Sequence, residues 1–97
     1  MAYDPGAIDA TLAAAVGDEP ALIAELRESF LDGVKRCVRA MKTAESAQAW
    51  SAAALRLKGL AASFGAVRLM ALAAEAATSP ANDAAVLRRL NRAIDRL

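Results

Sequence analysis

The sequence predicts an all-α domain, and three observations agree on this. Of the 97 residues, 57% are apolar and many of these are alanine, which has the highest helix propensity and little preference for strands. Apolar residues recur at three- and four-residue spacing, which is the helical period. The segments between these stretches are short. One domain over residues 1–97 is therefore expected, an antiparallel up-and-down four-helix bundle with a short N-terminal helix covering one end.

The first helix is predicted over residues 8–16. Gly17 follows it, and glycine is the usual residue just after a helix because it adopts the left-handed conformation without strain. Asp18 is then expected to cap the second helix, with Pro20 in its first turn, where a missing N–H costs nothing.

The second helix is predicted from Ala21 to about Lys42. Gly33 lies within it and permits close approach of a neighbouring helix. Cys37 is the sole cysteine, which excludes an internal disulfide and a cysteine-based metal site and favours a small buried hydrophobe. The apolar stripe comprises Leu22, Ile23, Leu26, Phe30, Gly33, Val34, Cys37 and Met41.

The third helix is predicted after a turn at residues 43–46, with Ser46 or Thr43 as its cap, and it ends at Phe64 beside Gly65. Helical spacing assigns one inward stripe to it. Leu55 lies about 140° from Trp50 at roughly 100° per residue, so it is expected to face solvent. The inward stripe comprises Trp50, Ala53, Ala54, Leu57, Leu60, Ala61 and Phe64.

Two further helices complete the prediction. The fourth spans Ala66–Ala77, and the loop at residues 78–83 offers Ser79 or Asn82 as the cap of the fifth, which reaches Leu97. The inward positions are Leu69, Met70, Ala73 and Ala76 on the fourth helix, and Val86, Leu87, Leu90, Ala93, Ile94 and Leu97 on the fifth.

Charge and composition exclude several classes of function. The chain has no histidine, so it lacks histidine-based catalysis and histidine metal ligands, and no carboxylate pair suggests acid–base chemistry. Charges interrupt every long apolar run, and no secretory signal is recognisable, so a cytoplasmic protein without membrane contact is expected. The net charge of +1 combines an acidic first third with a basic remainder, which favours an acidic protein partner over nucleic acid.

The segment from Leu55 to Ala66 carries the most specific pattern. It reads Leu-Arg-Leu-Lys-Gly-Leu-Ala-Ala-Ser-Phe-Gly-Ala and resembles the phosphoacceptor helix of histidine-containing phosphotransfer (HPt) domains. In that family a histidine opens a His-x-Leu-Lys-Gly pattern, followed by small residues and Phe-Gly-Ala. Leu55 stands at the position of the phosphoacceptor histidine, while Lys58 and Gly59 match the family pattern.

The resemblance implies a pseudo-HPt signalling adaptor. It would bind a response-regulator receiver domain, or a histidine kinase, and modulate a two-component phosphorelay without carrying phosphate. In the family, the glycine leaves room for the receiver and the lysine balances phosphoryl charge. The expected partner-binding face comprises Ser51, Ala52, Leu55, Lys58, Gly59 and Ala62.

Two other functions remain open from the sequence. The chain could be a purely structural bundle, monomeric or weakly dimeric through the apolar face around Leu55. It could also transfer phosphate through a different acceptor, Ser51 or Ser63, although neither serine has a visible activating base. No catalytic residue, metal site or cofactor is predicted.

Overall fold

The computed structural model describes residues 6–17 and 19–97, which form five α-helices and no strand. The predicted all-α domain with a short N-terminal helix is confirmed. The first helix begins two residues before the predicted start, and the last ends at Asp95 instead of Leu97. The helices are α1 (Gly6–Val16), α2 (Pro20–Lys42), α3 (Ala47–Ser63), α4 (Val67–Ala77) and α5 (Ala84–Asp95).

The helices pack mainly on their neighbours in the sequence: α1 on α2, α2 on α3, α3 on α4 and α4 on α5. Among the described residues, no other pair of helices shares a contact of similar extent. The longest helix is α2, with 23 residues and a length of about 35 Å. The most extensive contacts are those of α3 with α2 and with α4, so α3 lies at the centre of the core.

Trp50 anchors α3 to α4. Its side chain is only 1% exposed, and its indole Nε1–H donates a hydrogen bond of 2.7 Å to the carbonyl oxygen of Ala76. A buried indole N–H without a partner would cost free energy, and this hydrogen bond removes that cost. At the other end of α3, the rings of Phe30 and Phe64 stack with centroids 4.6 Å apart, which joins α2 to the end of α3.

Most of the predicted inward positions are buried, with exceptions that packing explains. Val38 and Leu72 are buried although the sequence analysis did not place them in the core. The predicted inward positions that are only half-buried are Leu22, Ile23, Leu26, Gly33, Leu60, Phe64, Met70, Leu87, Ile94 and Leu97. With sequential packing, each helix contacts neighbours over a different arc of its surface, so the buried stripe is wider or shifted relative to a symmetric bundle.

The helix starts differ from two of the predictions. Asp18 lies outside the described residues, and the N-cap position of α2 belongs to Glu19, whose side chain makes no capping bond. Pro20 forces the residue before it into extended backbone, and Glu19 has φ −119° and ψ 98°. Ser46 is confirmed as the cap of α3, since its Oγ accepts from the Ala49 N–H at 3.0 Å. Thr43 instead ends α2.

The cap of α5 is Asp83 instead of Ser79 or Asn82. Its carboxylate accepts from the N–H groups of Ala85 and Val86, at 3.0 and 3.3 Å. Asn82 takes a left-handed φ of 63° in the turn, and the Ser79 hydroxyl donates to the last turn of α4, at the Glu75 carbonyl. Ser79 and Asn82 therefore both belong to the loop. The N-cap is Asp83, the residue directly before the helix.

Candidate functional site

The predicted partner face lies on the side of α3 that points away from the core. Five of its six residues are exposed, and Ser51 is half-buried. Leu55 is 51% exposed, one of two large hydrophobic side chains left in solvent among the described residues; Val67, at 67%, is the other. The helical period therefore predicted correctly which side of α3 faces solvent. The exposed members are Ala52, Leu55, Lys58, Gly59 and Ala62.

The buried side of α3 holds this face in place. Trp50, Ala54, Leu57 and Ala61 are fully buried at intervals of three and four residues, so the rotation of the helix about its axis is set by packing. Most residues on the outer side of α3 are small, and the long side chains there are those of Gln48, Leu55, Arg56 and Lys58. The result is a smooth exposed surface with Leu55 as its largest apolar projection.

Two glycines illustrate which small residues the fold itself requires. A Cβ on Gly33 would lie 3.0 Å from Cδ2 of Leu60, so glycine there permits the approach of α2 and α3. A Cβ on Gly59 would meet no atom within 4 Å. Glycine in a helix interior costs about 1 kcal/mol relative to alanine. No contact among the described residues accounts for Gly59, whereas Gly33 is explained by packing.

The Phe64-Gly65-Ala66 part of the motif has a structural role. Gly65 takes φ +73°, and the N–H groups of Ala66 and Gly65 bond the carbonyls of Ala61 and Ala62 at 2.9 and 3.3 Å. This is the Schellman arrangement that ends a helix. Ala66 is fully buried. The fold thus explains this half of the motif, and Leu55, Lys58 and Gly59 are the residues it leaves without a packing role.

The helix that carries the face is cationic. It contains Arg56 and Lys58 but no acidic residue. The side chain of Lys58 makes no ion pair or hydrogen bond with any residue that the structure describes. The Ser63 hydroxyl donates to the Gly59 carbonyl at 2.9 Å, which occupies its proton within the helix. Leu55, at the centre of the face, offers only hydrocarbon.

A second charged surface was missed by the sequence analysis. Arg68 of α4 and three arginines of α5 line a groove with a volume of about 270 Å³. The signal was present, because Arg89, Arg92 and Arg96 follow the spacing of one helical face. From the sequence, these arginines counted only toward the basic remainder of the chain. The contact of α4 with α5, which brings Arg68 to this stripe, exists only in the folded chain.

Among the described residues, the Arg89 guanidinium is the one member of the groove with a carboxylate partner. It pairs with both oxygens of Glu75, with Nη2 to Oε1 at 3.1 Å. The hydrogen bond to Glu75 and the charge of that carboxylate raise the pKa of Arg89. This pair links α4 to α5 across the protein surface, where an isolated ion pair contributes little stability.

Cys37 carries the remaining reactive group, a thiol, and its surroundings lower the reactivity of that thiol. The side chain is 6% exposed, and burial raises the pKa of the thiol, with partial opposition from the charges of Arg56 and Arg36. We expect Ellman's reagent to modify the native protein at neutral pH about 100-fold more slowly than the urea-unfolded chain, because only opened molecules expose a thiolate. Equal rates in the two states would place Cys37 at the surface instead.

Other classes of site find no support in the described part of the chain. It contains no group of three or more cysteine, aspartate or glutamate side chains arranged to hold a metal ion. None of its helices has the length and apolar content needed to cross a membrane. Comparisons of the chain with protein-family models, curated proteins and solved structures gave no match. The HPt resemblance therefore rests on the motif residues and on the surface they form.

Proposed function

We propose that this chain is a pseudo-HPt signalling adaptor. It binds a response-regulator receiver domain, or the histidine kinase that works with one, and modulates a two-component phosphorelay without carrying phosphate. In this proposal, helices α2 to α5 form an antiparallel up-and-down bundle. The bundle presents α3 to the partner in the cytoplasm. Competition for the receiver surface is the mode of action.

The observation that carries the proposal is the open space above Gly59. The fold has no use for glycine there, and alanine would stabilise the helix, so the missing side chain suits a partner that packs directly on the backbone of α3. Lys58, without a partner in the described structure, lies beside it. Both residues match the HPt pattern, in which the same positions face the receiver.

Loss of the phosphoacceptor is compatible with retained binding. Leu55 is half exposed at the acceptor position, and an exposed leucine adds apolar contact area when a partner covers it. Full burial of such a side chain is worth about 1.5–3 kcal/mol. The cationic helix complements an acidic surface on the partner, which accelerates association at low salt.

The direct experiment measures binding of the purified protein to the receiver domains of its own organism by biolayer interferometry. Gly59→Leu should weaken the interaction at least about tenfold, because it fills the space that the partner would occupy. Lys58→Glu should weaken binding more at low than at high ionic strength, since exposed charges are screened over about 10 Å at 0.1 M salt.

The matched control is Ala49→Leu, which adds similar bulk to an exposed site on α3 about 120° away from Leu55 around the helix. It should bind like the parent, and circular dichroism should show unchanged helicity for all three variants. Absence of binding to every receiver and kinase would refute the proposal. Equal losses for Ala49→Leu and Gly59→Leu would move the interface away from the proposed face.

Exposed apolar side chains also favour the alternative of a homodimerising bundle. Leu55 and Val67 together leave apolar area in solvent, and self-association would cover it. Light scattering distinguishes the two functions: a dimer that Leu55→Glu dissociates would favour the structural alternative, and a monomer at all accessible concentrations would favour the adaptor.

A further inference from the structure

We infer that the groove between α4 and α5, lined by Arg68, Arg89, Arg92 and Arg96, binds an acidic segment of a partner protein. This surface is separate from the proposed receiver-binding face on α3. The inference does not depend on receiver binding, since it rests on a different set of side chains.

The groove is built by two helices. Arg89 and Arg92 lie one turn apart on α5, and Arg96 follows one turn later at the C-cap of that helix. Seven residues of helix span about 10 Å. Arg68, the second residue of α4, lines the same groove. Its volume of about 270 Å³ accommodates side-chain carboxylates and not a folded element.

The charge in the groove is unbalanced. Four guanidinium groups line it, and no carboxylate of the described residues does. Arg89 pairs with Glu75 at the edge, whereas Arg68, Arg92 and Arg96 have no ion pair or hydrogen-bond partner through their side chains among the described residues. Guanidinium groups bind carboxylates through two parallel hydrogen bonds, so three donor forks remain available within one groove.

Helix stability accounts for part of this cluster but not for Arg68. Arg92 and Arg96 lie at the end of α5, where positive charge complements the helix dipole. Arg68 lies in the first turn of α4, where the same dipole disfavours positive charge. That turn contains no acidic residue to compensate. An anion bound in the groove would relieve the repulsion that Arg68 introduces.

An acidic protein segment fits this groove better than nucleic acid. Proteins that bind single strands add aromatic side chains on which bases stack. Among the described residues, Trp50 and Phe30 are buried, and Phe64 is stacked on Phe30. A stripe of about 10 Å equals two helical turns, the distance over which an acidic helix presents carboxylates at three- and four-residue spacing.

The experiment uses fluorescence anisotropy of a labelled hexaglutamate peptide, titrated with the full chain at low and at physiological salt. We expect saturable binding at low salt that weakens as salt rises. The double variant Arg68→Ala/Arg92→Ala should bind at least about tenfold more weakly, because it removes two of the three unpaired forks.

The matched control is Arg39→Ala/Arg88→Ala, which removes the same charge from exposed positions that do not line the groove. At physiological salt this control should weaken hexaglutamate binding less than about twofold, since exposed charges outside the groove are screened there over about 10 Å. Circular dichroism melts of both double variants verify that each remains folded. Equal losses for the two pairs would overturn the inference, because binding would then follow net charge alone.

Two other results would also overturn it. One is the absence of hexaglutamate binding at low salt. The other is tighter binding of a short mixed-sequence DNA duplex than of hexaglutamate at the same salt, with the same dependence on Arg68 and Arg92. Receiver binding through α3 would be unaffected by either result.

Discussion

Trp50→Ala is expected to lower the free energy of unfolding by about 3–5 kcal/mol, the largest loss for any single substitution in this chain. The indole is almost fully buried and lies between α3 and α4, so its removal leaves a large cavity and ends the hydrogen bond to Ala76. A domain of this size has a total stability of about 5–15 kcal/mol. Urea titration followed by circular dichroism measures the change.

Trp50→Phe separates volume from hydrogen bonding. It retains most of the apolar contact but removes the N–H donor, so we expect a loss of about 1–2 kcal/mol. The Ala76 carbonyl is not orphaned, because it still accepts from the Ser79 N–H at 3.0 Å. Leu55→Ala on the exposed side of the same helix serves as a reference and should change stability by no more than about 0.5 kcal/mol. Equal losses for alanine at 50 and at 55 would contradict the described packing of α3.

Leu55→His is expected to convert a protein that accepts no phosphate into one that does. The substitution places an imidazole on the exposed face beside Lys58 and one turn before Gly59. Its nitrogen would attack the phosphorus of a receiver aspartyl phosphate, forming a P–N bond while the P–O bond breaks and the carboxylate leaves. Stability should change by no more than about 0.5 kcal/mol, because the position is exposed.

The measurement is radiolabel transfer from a phosphorylated receiver that binds the parent protein. The parent should remain unlabelled, and Leu55→His should carry acid-labile label. Arg56→His is the matched control: it adds an exposed histidine to the same helix, about 100° around its axis, and should remain unlabelled. Label on the parent would refute the phosphate-free adaptor, and equal labelling of the two histidine variants would show that transfer does not depend on docking at position 55.

Much of the fold was accessible from the sequence, because local signals carry it. Apolar spacing placed all five helices to within a few residues, and Gly17 and Gly65, both with positive φ, marked two helix ends. The same periodicity placed Trp50 and Leu57 in the core and left Leu55 in solvent. These features depend on the order of residues within one helix, so no knowledge of the neighbouring helices was needed.

Other features required the tertiary structure. Only the packing of α2 against α3 distinguishes Gly33, which faces Leu60, from Gly59, which faces open space. Only the contact between α4 and α5 brings Arg68 to the arginines of α5.

The Asp83 cap is different, because its carboxylate accepts from N–H groups only two and three residues later; it is a local contact that the sequence prediction assigned to the wrong residue. For Gly33, Gly59 and Arg68, the deciding contact involves residues of another helix, whose placement depends on how the chain turns between helices. The period of a single helix determines which side of it is apolar, but not which residues of another helix that side will meet.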